Sequence, residues 1–481
     1  MPTRALAPAL AVAVLVTALA ASSASAAPWK RVTTPDGATP DQIGLASSDQ
    51  VALARTADGV LHVVWSHPTS PNTEDLKHTV LTRNGRLGPT NVIESGWTGF
   101  SNAALVVEPA GLRAFWGGLR STDPSDTYRE VSTSLSTNGG ANWFLQQGGS
   151  INPGGMQSYA SNISATVRAD GSTLQAFAGT LGTWVHAGLT TANSNHDYQA
   201  PFGPYGYEPN IATDRRGRTV LAWFSSGAGR SGVLAQFVNV DGSPVTNGDS
   251  DPSNDALTMP GTGTMRIGML GRTPLAALGP SLYTAYPTPN RIRVWRIGTD
   301  NAPVVGRIRG SGSPAVTIAP TSDGRLWILW TKGFGDPDVF ARRTNVGARK
   351  PGAVVNAGHP RDAVQAYKVD ASAVGGALDV LGHFNVGTTS TAVTSHRRIL
   401  PGLTVKARPG AVPSGDPTDV QFTVLDAGDP VQGARVRADG RSARTNSQGR
   451  VTLSLSTRSA LTARVTHPEY TPASKRIRVR R

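Results

Sequence analysis

The 481-residue chain contains no cysteine. That absence excludes disulfides, thiolate metal sites, cysteine nucleophiles and a lipid carried on sulfur, so the fold must be held by its core alone. Acids are also short, with 32 Asp and Glu against 46 Lys and Arg, and aromatics make up only 6% of the residues. Apolar runs of membrane-spanning length are missing after the first twenty or so residues, and helix-period stretches are hard to find. Histidines are scattered without an H-E-x-x-H or similar zinc spacing, and there is no G-x-S-x-G elbow. The glycines of "SSGAGRSG" (Ser225 to Gly232) lack the lysine and helix of a phosphate loop.

What is present begins with "MPTRALAPALAVAVLVTALAASSASA". One basic residue, a short alanine-rich apolar run and a small-residue end predict a signal peptide over residues 1–26, cleaved after Ala26. The expectation is therefore a secreted protein, extracellular or associated with the cell wall, with no membrane span. The positive charge is uneven. From Pro401 onward there are fourteen Lys and Arg against six Asp and Glu, a surplus of eight out of the +14 of the whole chain.

One pattern recurs seven times: a short apolar strand, a turn, and a second strand often ending in an aromatic. The copies include "VALARTADGVLHVVW", "PNIATDRRGRTVLAW" and "AVTIAPTSDGRLWILW", and they end at Trp65, Trp116, Phe177, Trp223, Tyr286, Trp330 and Gly382. Their intervals run from 44 to 63 residues with a mean of about 53, close to the period of propeller blades. A second hairpin follows each first one, giving four antiparallel strands per repeat. The seventh repeat runs out after "TAVTSHRRIL", and "WKRVTT" near Trp29 is expected to supply its missing outer strand. The fold class predicted is all-β: a seven-bladed β-propeller over 27–400, then a small basic β-sandwich over 401–481. The recurring aromatics are read as packing between blades, with a ligand ladder as the alternative. The Pro- and Gly-rich "LPGLTVKARPGAVPSGDP" is read as a linker or domain start.

Two resemblances accompany these patterns. "SDTYREVSTSLSTNGGANW" (Ser125 to Trp143) resembles the Asp-box of the sialidase/BNR-repeat superfamily, with Asn138 in place of Asp and Asn142 in place of Thr. "DPDVFARRTNVG" and "EDLKHTVLTRNG" are worn copies. The resemblance implies a propeller in which this box folds the turn between third and fourth strands, and Asn fills that role by bonding its own backbone. It also implies a sialidase set of three arginines, a Tyr–Glu nucleophile and an Asp acid/base. No R-I-P motif carries the first arginine. Arg55 and Arg168 lie at the far end of their strands from Arg272, so these three do not make the triad. Separately, "DPVQGARVRADGRSARTNSQGRVTLSL" resembles bacterial Ig-like and carboxypeptidase-regulatory-like modules, which implies a fold for the tail and no activity.

Candidate site residues follow from topology, because the connections leading into first strands converge on one face. Those connections carry Trp97, Phe100, Tyr159, Tyr205, Tyr207, Glu208 and Tyr367, read as a sugar-binding rim in which flat rings stack on pyranose faces. The same residues as a plug of the channel is the competing reading. Tyr207, Glu208 and Asp49 are the catalytic candidates if the chain is a glycoside hydrolase or polysaccharide lyase. Adjacent residues of an extended chain point opposite ways, which counts against Tyr207 with Glu208. In "NGDSDPSND" the alternating Asp249, Asp251 and Asp255 suit Ca²⁺, or form a solvated acidic loop. No other cofactor is expected. The basic "KRIRVRR" end reads as a charged edge strand able to hold anionic cell-wall polymers. The partners expected are a glycan or anionic cell-wall polymer, with a protein partner as the scaffold alternative and no nucleic acid.

Overall fold

The computed structural model describes residues 28–31, 51–70, 73–82, 85–97, 100–118, 130–145, 161–179, 182–188, 197–200, 206–227, 230–246, 255–260, 272–308, 314–332, 336–386 and 391–480. Among these the chain is all-β apart from one short 3-10 turn. Seven four-stranded sheets follow one another, each laid out in sequence order except the last. The first contains Ala52–Arg55, Leu61–Ser70, Thr73–Leu81 and Asn91–Trp97. The inner strands of the second to seventh sheets are Ala104–Glu108, Ser161–Val167, Gly206–Thr213, Leu275–Leu278, Val316–Pro320 and Ala363–Val374. Each inner strand neighbours the next, and the seventh neighbours the first, so the sheets close on themselves in a propeller-like ring.

The seventh sheet takes its outermost strand from the other end of the chain. Lys30 pairs with His396 and Arg31 with Ser395, antiparallel, so these two residues of "WKRVTT" supply the missing edge. Trp29 secures it: the indole N–H donates to the Ala357 carbonyl at 2.9 Å and the ring meets Phe384 edge-on at 5.0 Å. Gly382 belongs to this arrangement. A Cβ there would lie 2.4 Å from the Phe384 ring, so the seventh repeat ends in glycine because Phe384 fills that space from two residues away.

The apolar clusters lie between neighbouring sheets. Trp65, Trp116, Phe177, Trp223, Tyr286 and Trp330 are all buried, each at the same place in its second strand. Their role is packing, as flat rings that cover large apolar areas between twisted sheets.

The Asn138 box behaves as its chemistry demands. Ser136 Oγ accepts from the Gly140 N–H at 2.8 Å, and Asn138 Oδ1 accepts from Ser136 Oγ at 3.0 Å and from the Asn142 N–H at 2.9 Å. One amide oxygen does what a carboxylate would, and no charge is needed. Asn345 repeats this in the sixth sheet, accepting from the N–H groups of Arg349 and Lys350 at 2.9 and 2.6 Å. The box turn docks on the first sheet: Trp143 meets His78 edge-on at 5.3 Å, and a Cβ on Gly140 would lie 2.0 Å from the His78 ring. Gly140 also sits at φ 88°, a left-handed conformation. Gly140→Ala is expected to cost about 2 kcal/mol in a denaturant titration, from overpacking and strain together. An unchanged midpoint would show that the box turn is not docked there.

Beyond Pro401 two further sheets share one core built on Val420, Phe422, Val436, Val465 and Ile477. The stretch read as a linker or domain start is structured as the start of the two-sheet unit: Thr404–Arg408 pairs with Phe422 and its neighbours, and Ala411–Pro413 pairs in parallel with Arg478 to Arg480. That second pairing corrects the reading of "KRIRVRR" as a charged edge strand over Arg478 to Arg480, where the short parallel strand covers it. The two-sheet unit is joined to the ring by buried charge. Asp426 accepts from Arg343 and, at 3.3 Å, from Arg325, while Tyr470 lies under the Arg343 guanidinium at 5.6 Å.

Candidate ligand site at the front of the ring

Each inner strand begins at one end of the ring, the front, and finishes at the back. Three inner strands carry a β-bulge near their start: between Ser161 and Ser164, between Tyr207 and Asn210, and between Ala366 and Lys368. Asn162 and Glu208 sit in the first two bulges at φ 52° and 56°. A non-glycine residue held at positive φ costs energy, and bulges re-aim side chains where a sheet meets a site.

The side chains near these bulges form a polar collar. Asn102 donates to Asn162, Ser164 Oγ donates to Asn210 Oδ1 at 2.6 Å, and Asn210 Nδ2 donates to the Thr273 carbonyl at 2.8 Å. Arg272 reaches across from just before the fifth sheet. Its Nε donates to the Ile163 carbonyl at 2.7 Å and its Nη2 to the Ala103 carbonyl. Within the collar is a cavity of about 190 Å³ bordered by all seven inner strands, with Arg272, Asp370, Asn210, Ser164 and Thr317 as its polar lining.

Burial dominates the electrostatics. It pushes the Asp370 carboxyl up to about 6, against the opposing pull of Arg272 and Lys368. Burial also lowers the Arg272 guanidinium, with Asp370 holding it up. On the neighbouring strand His383 is pushed down to about 3, by burial and then by Lys368, and its Nδ1 lies 3.1 Å from Thr394 Oγ1. The cavity lining thus combines a guanidinium held by main-chain carbonyls with a buried carboxyl that feels its charge. That pairing suits hydroxyl groups or a small anion.

The candidates named from sequence are dispersed. Trp97 and Phe100 are buried in the core between the first and second sheets, stacked on each other at 5.4 Å, with Trp97 edge-on to Trp116 at 5.7 Å. They present no face to a sugar, which corrects the rim reading for both. Glu208 is fully buried within its bulge, and its main-chain carbonyl accepts from Thr273 at 2.8 Å; Tyr207 is half-buried beside it. Tyr367 lies in the third bulge. Tyr159, Tyr205, Asp49, Asp249 and Asp251 fall outside the described residues, and Asp255 is half-buried. Among the described residues no three His, Asp or Glu gather as a metal site.

Arg55 and Arg168 lie at the back, bonded to Asp379 and Thr219 respectively, so Arg272 alone of the three reaches the front. Sequence reasoning missed Asp370, Lys368 and His383. The available signal was a carboxylate inside the apolar strand "VDASAV", since a lone buried acid is rare without a role.

No family model matches this sequence, and no curated protein does. Solved structures of similar fold include the polysaccharide lyase Uly1, at 11% identity and a TM-score of 0.45 over 72% of this chain and 89% of that one. A mitotic checkpoint complex chain is similar at 11% identity and a TM-score of 0.43, over 82% of this chain and 99% of that one. The Trypanosoma rangeli sialidase follows at 12% identity and 0.37, over 65% and 56%. A lyase, a checkpoint assembly and a sialidase have different chemistries, and at these scores none of them bears on the chemistry of this chain. Among the described residues no helix is long and apolar enough to cross a membrane.

Proposed function

We propose that this chain is a secreted, non-catalytic glycan-binding protein: a seven-bladed β-propeller over 27–400 whose front cavity holds a sugar head group, with an Ig-like β-sandwich over 401–481 that associates with the cell envelope. One observation carries the reading. Polar groups from the third, fourth, fifth and seventh sheets converge on one cavity at the axis, of about 190 Å³. Sites for drug-sized ligands measure roughly 300–1,000 Å³, so this one takes a single polar group rather than a run of sugars. Hydrolysis of a glycosidic bond canonically uses two carboxyls about 5–10 Å apart flanking that bond, with the Tyr nucleophile of sialidases as an exception. Among the described residues Asp370 is the one carboxyl that lines the cavity.

The test is a glycan binding panel with the mature chain, run beside an assay for released reducing ends. Asp370→Asn and Arg272→Lys are expected to weaken binding about tenfold or more with no product released by any form, as loss of a desolvated charged hydrogen bond implies. Reducing ends that appear with the parent chain and vanish in Asp370→Asn would establish an enzyme instead. Binding of peptides but of no sugar would establish a protein scaffold.

A further inference from the structure

The outer face of the five-stranded C-terminal sheet carries a line of arginines drawn from four strands. The sheet runs in the order Ala411–Pro413, Tyr470–Arg480, Leu461–His467, Arg435–Ala438, Arg441–Arg444. Val436, Ala438, Ala463, Val465 and Ile477 point into the core, so the residues alternating with them face outward. The outward set includes Arg435, Arg437, Arg444, Arg464, Arg476, Arg478 and Arg480, all exposed.

Register sets these side chains in order. Arg444 lies opposite Arg435, Arg437 lies opposite Arg464, and Arg476, one row further on, lies opposite Thr462. Arg478 and Arg480 continue along the same strand, opposite Ala411 and Pro413. The line therefore crosses the sheet diagonally. Strand spacings of about 4.8 Å and two-residue steps of about 6.7 Å give it a length of about 30 Å.

Two of these pairings set like charges directly opposite one another, which destabilises a sheet. None of the seven arginines has a carboxylate partner within 4 Å among the described residues. The nearest acid by register, Asp439, accepts from the Ser456 N–H at the end of the sheet. Arg435 Nε donates to Ser442 Oγ at 3.2 Å and Arg444 Nη1 to the Gly433 carbonyl at 3.0 Å, but these partners are neutral. A like-charge cost kept in the fold with no internal counter-charge points to an anionic partner outside it.

We infer that this arginine line is a binding track for a linear polysaccharide carrying an anionic group on successive sugars. It gives chemical content to the envelope association proposed above and is independent of the front cavity. Planar guanidinium forks match carboxylate and sulfate groups, and a flat extended line suits an extended chain. The outward face lacks the aromatic platforms on which single-stranded nucleic acid stacks. Among the described residues no large hydrophobic one is exposed beyond Val364, so the face offers nothing to insert into a lipid surface.

The test uses the whole mature chain and immobilised polygalacturonate, with neutral dextran and duplex DNA as comparison surfaces. Arg437→Gln with Arg464→Gln keeps the aliphatic stems and removes one opposed pair. It is expected to weaken polygalacturonate binding on the order of tenfold, more than a matched loss of charge at exposed Arg215 and Arg216 on the ring. The same double variant is expected to melt higher than the parent by about 1–2 °C, because the opposed charges are gone. Weaker binding with a raised melting temperature cannot come from misfolding. Equal weakening by the ring control would reduce the effect to net charge and overturn the track. Tighter binding to duplex DNA than to polygalacturonate at the same salt would overturn the choice of polysaccharide. Arg272→Lys leaves polygalacturonate binding unchanged if track and cavity are separate, so failure of one reading is told apart from failure of the other.

Discussion

Replacing Asp379 by alanine is expected to destabilise the ring by about 3–5 kcal/mol in urea or guanidinium titration, the cost of leaving buried cationic groups without their anion. Asp379 lies on the second strand of the seventh sheet and is 1% exposed. It accepts two bonds from Arg398, both at 2.8 Å, one from His396 at 3.0 Å and one from Arg55 at 2.8 Å. Burial alone would raise this carboxyl, yet the hydrogen bonds from His396 and Arg398 hold it well below the usual range. Arg55 makes the cluster a fastening. It ends the inner strand of the first sheet and also donates to Ser372 of the seventh, so one carboxylate ties the first sheet to the last. His396 is, in addition, the partner of Lys30 in the closing strand. Removing the anion leaves Arg55, Arg398 and His396 facing each other across the seam through which a ring would open. Arg55→Met in the Asp379→Ala background should recover part of the loss, since it removes a stranded charge. A cost under about 1 kcal/mol for Asp379→Ala would show that the seam is held by packing alone.

The ring was legible in the sequence because its cause is periodic. The aromatic at the end of each second strand fills the same inter-sheet gap every time, so Trp65 and Trp330 announce the same environment 265 residues apart. The box turn was legible because Asn138 acts on its own backbone and needs nothing distant. The site was not, for a matching reason. Trp97 ends the outer strand of the first sheet and Phe100 follows it in a connection, where exposure is the usual fate of an aromatic, but their stacking closes the gap between two sheets. Arg272 and Asp370 are 98 residues apart, and only closure of the ring brings them to one cavity. The arginine track failed to show for the same cause: "KRIRVRR" displays three of its members, while the other four come from three strands aligned by register.

Acid should loosen this fold well before its exposed carboxylates titrate. His78 is pushed down to about 3 by burial and then by the charge of His62, whose Nδ1 lies 3.0 Å from His78 Nε2. A bond between two imidazoles needs at least one neutral ring, and Trp143 seals the pair from the far side. His383 is likewise pushed down to about 3 beside Lys368. For both residues the folded state binds the proton more weakly than the unfolded chain does at 6.5. Their stabilising effect is therefore complete above pH 6.5 and lost as pH falls toward 3, at up to about 1.4 kcal/mol per pH unit each. Asp370 works with the opposite sign. Its carboxyl is raised to about 6 from 3.8, so the folded state takes up that proton first and gains stability as pH falls through the same window. Two losses against one gain leave a net decrease of about 3 kcal/mol between pH 6 and pH 4. Denaturant titrations at half-unit intervals measure it. His78→Gln should flatten the profile between these limits, whatever it does to the absolute stability, and Asp370→Asn should steepen it. A parent profile flat from pH 6 to 4 would mean that one or both histidines carry their proton in the folded state, and the His62–His78 contact would then have to open to admit it.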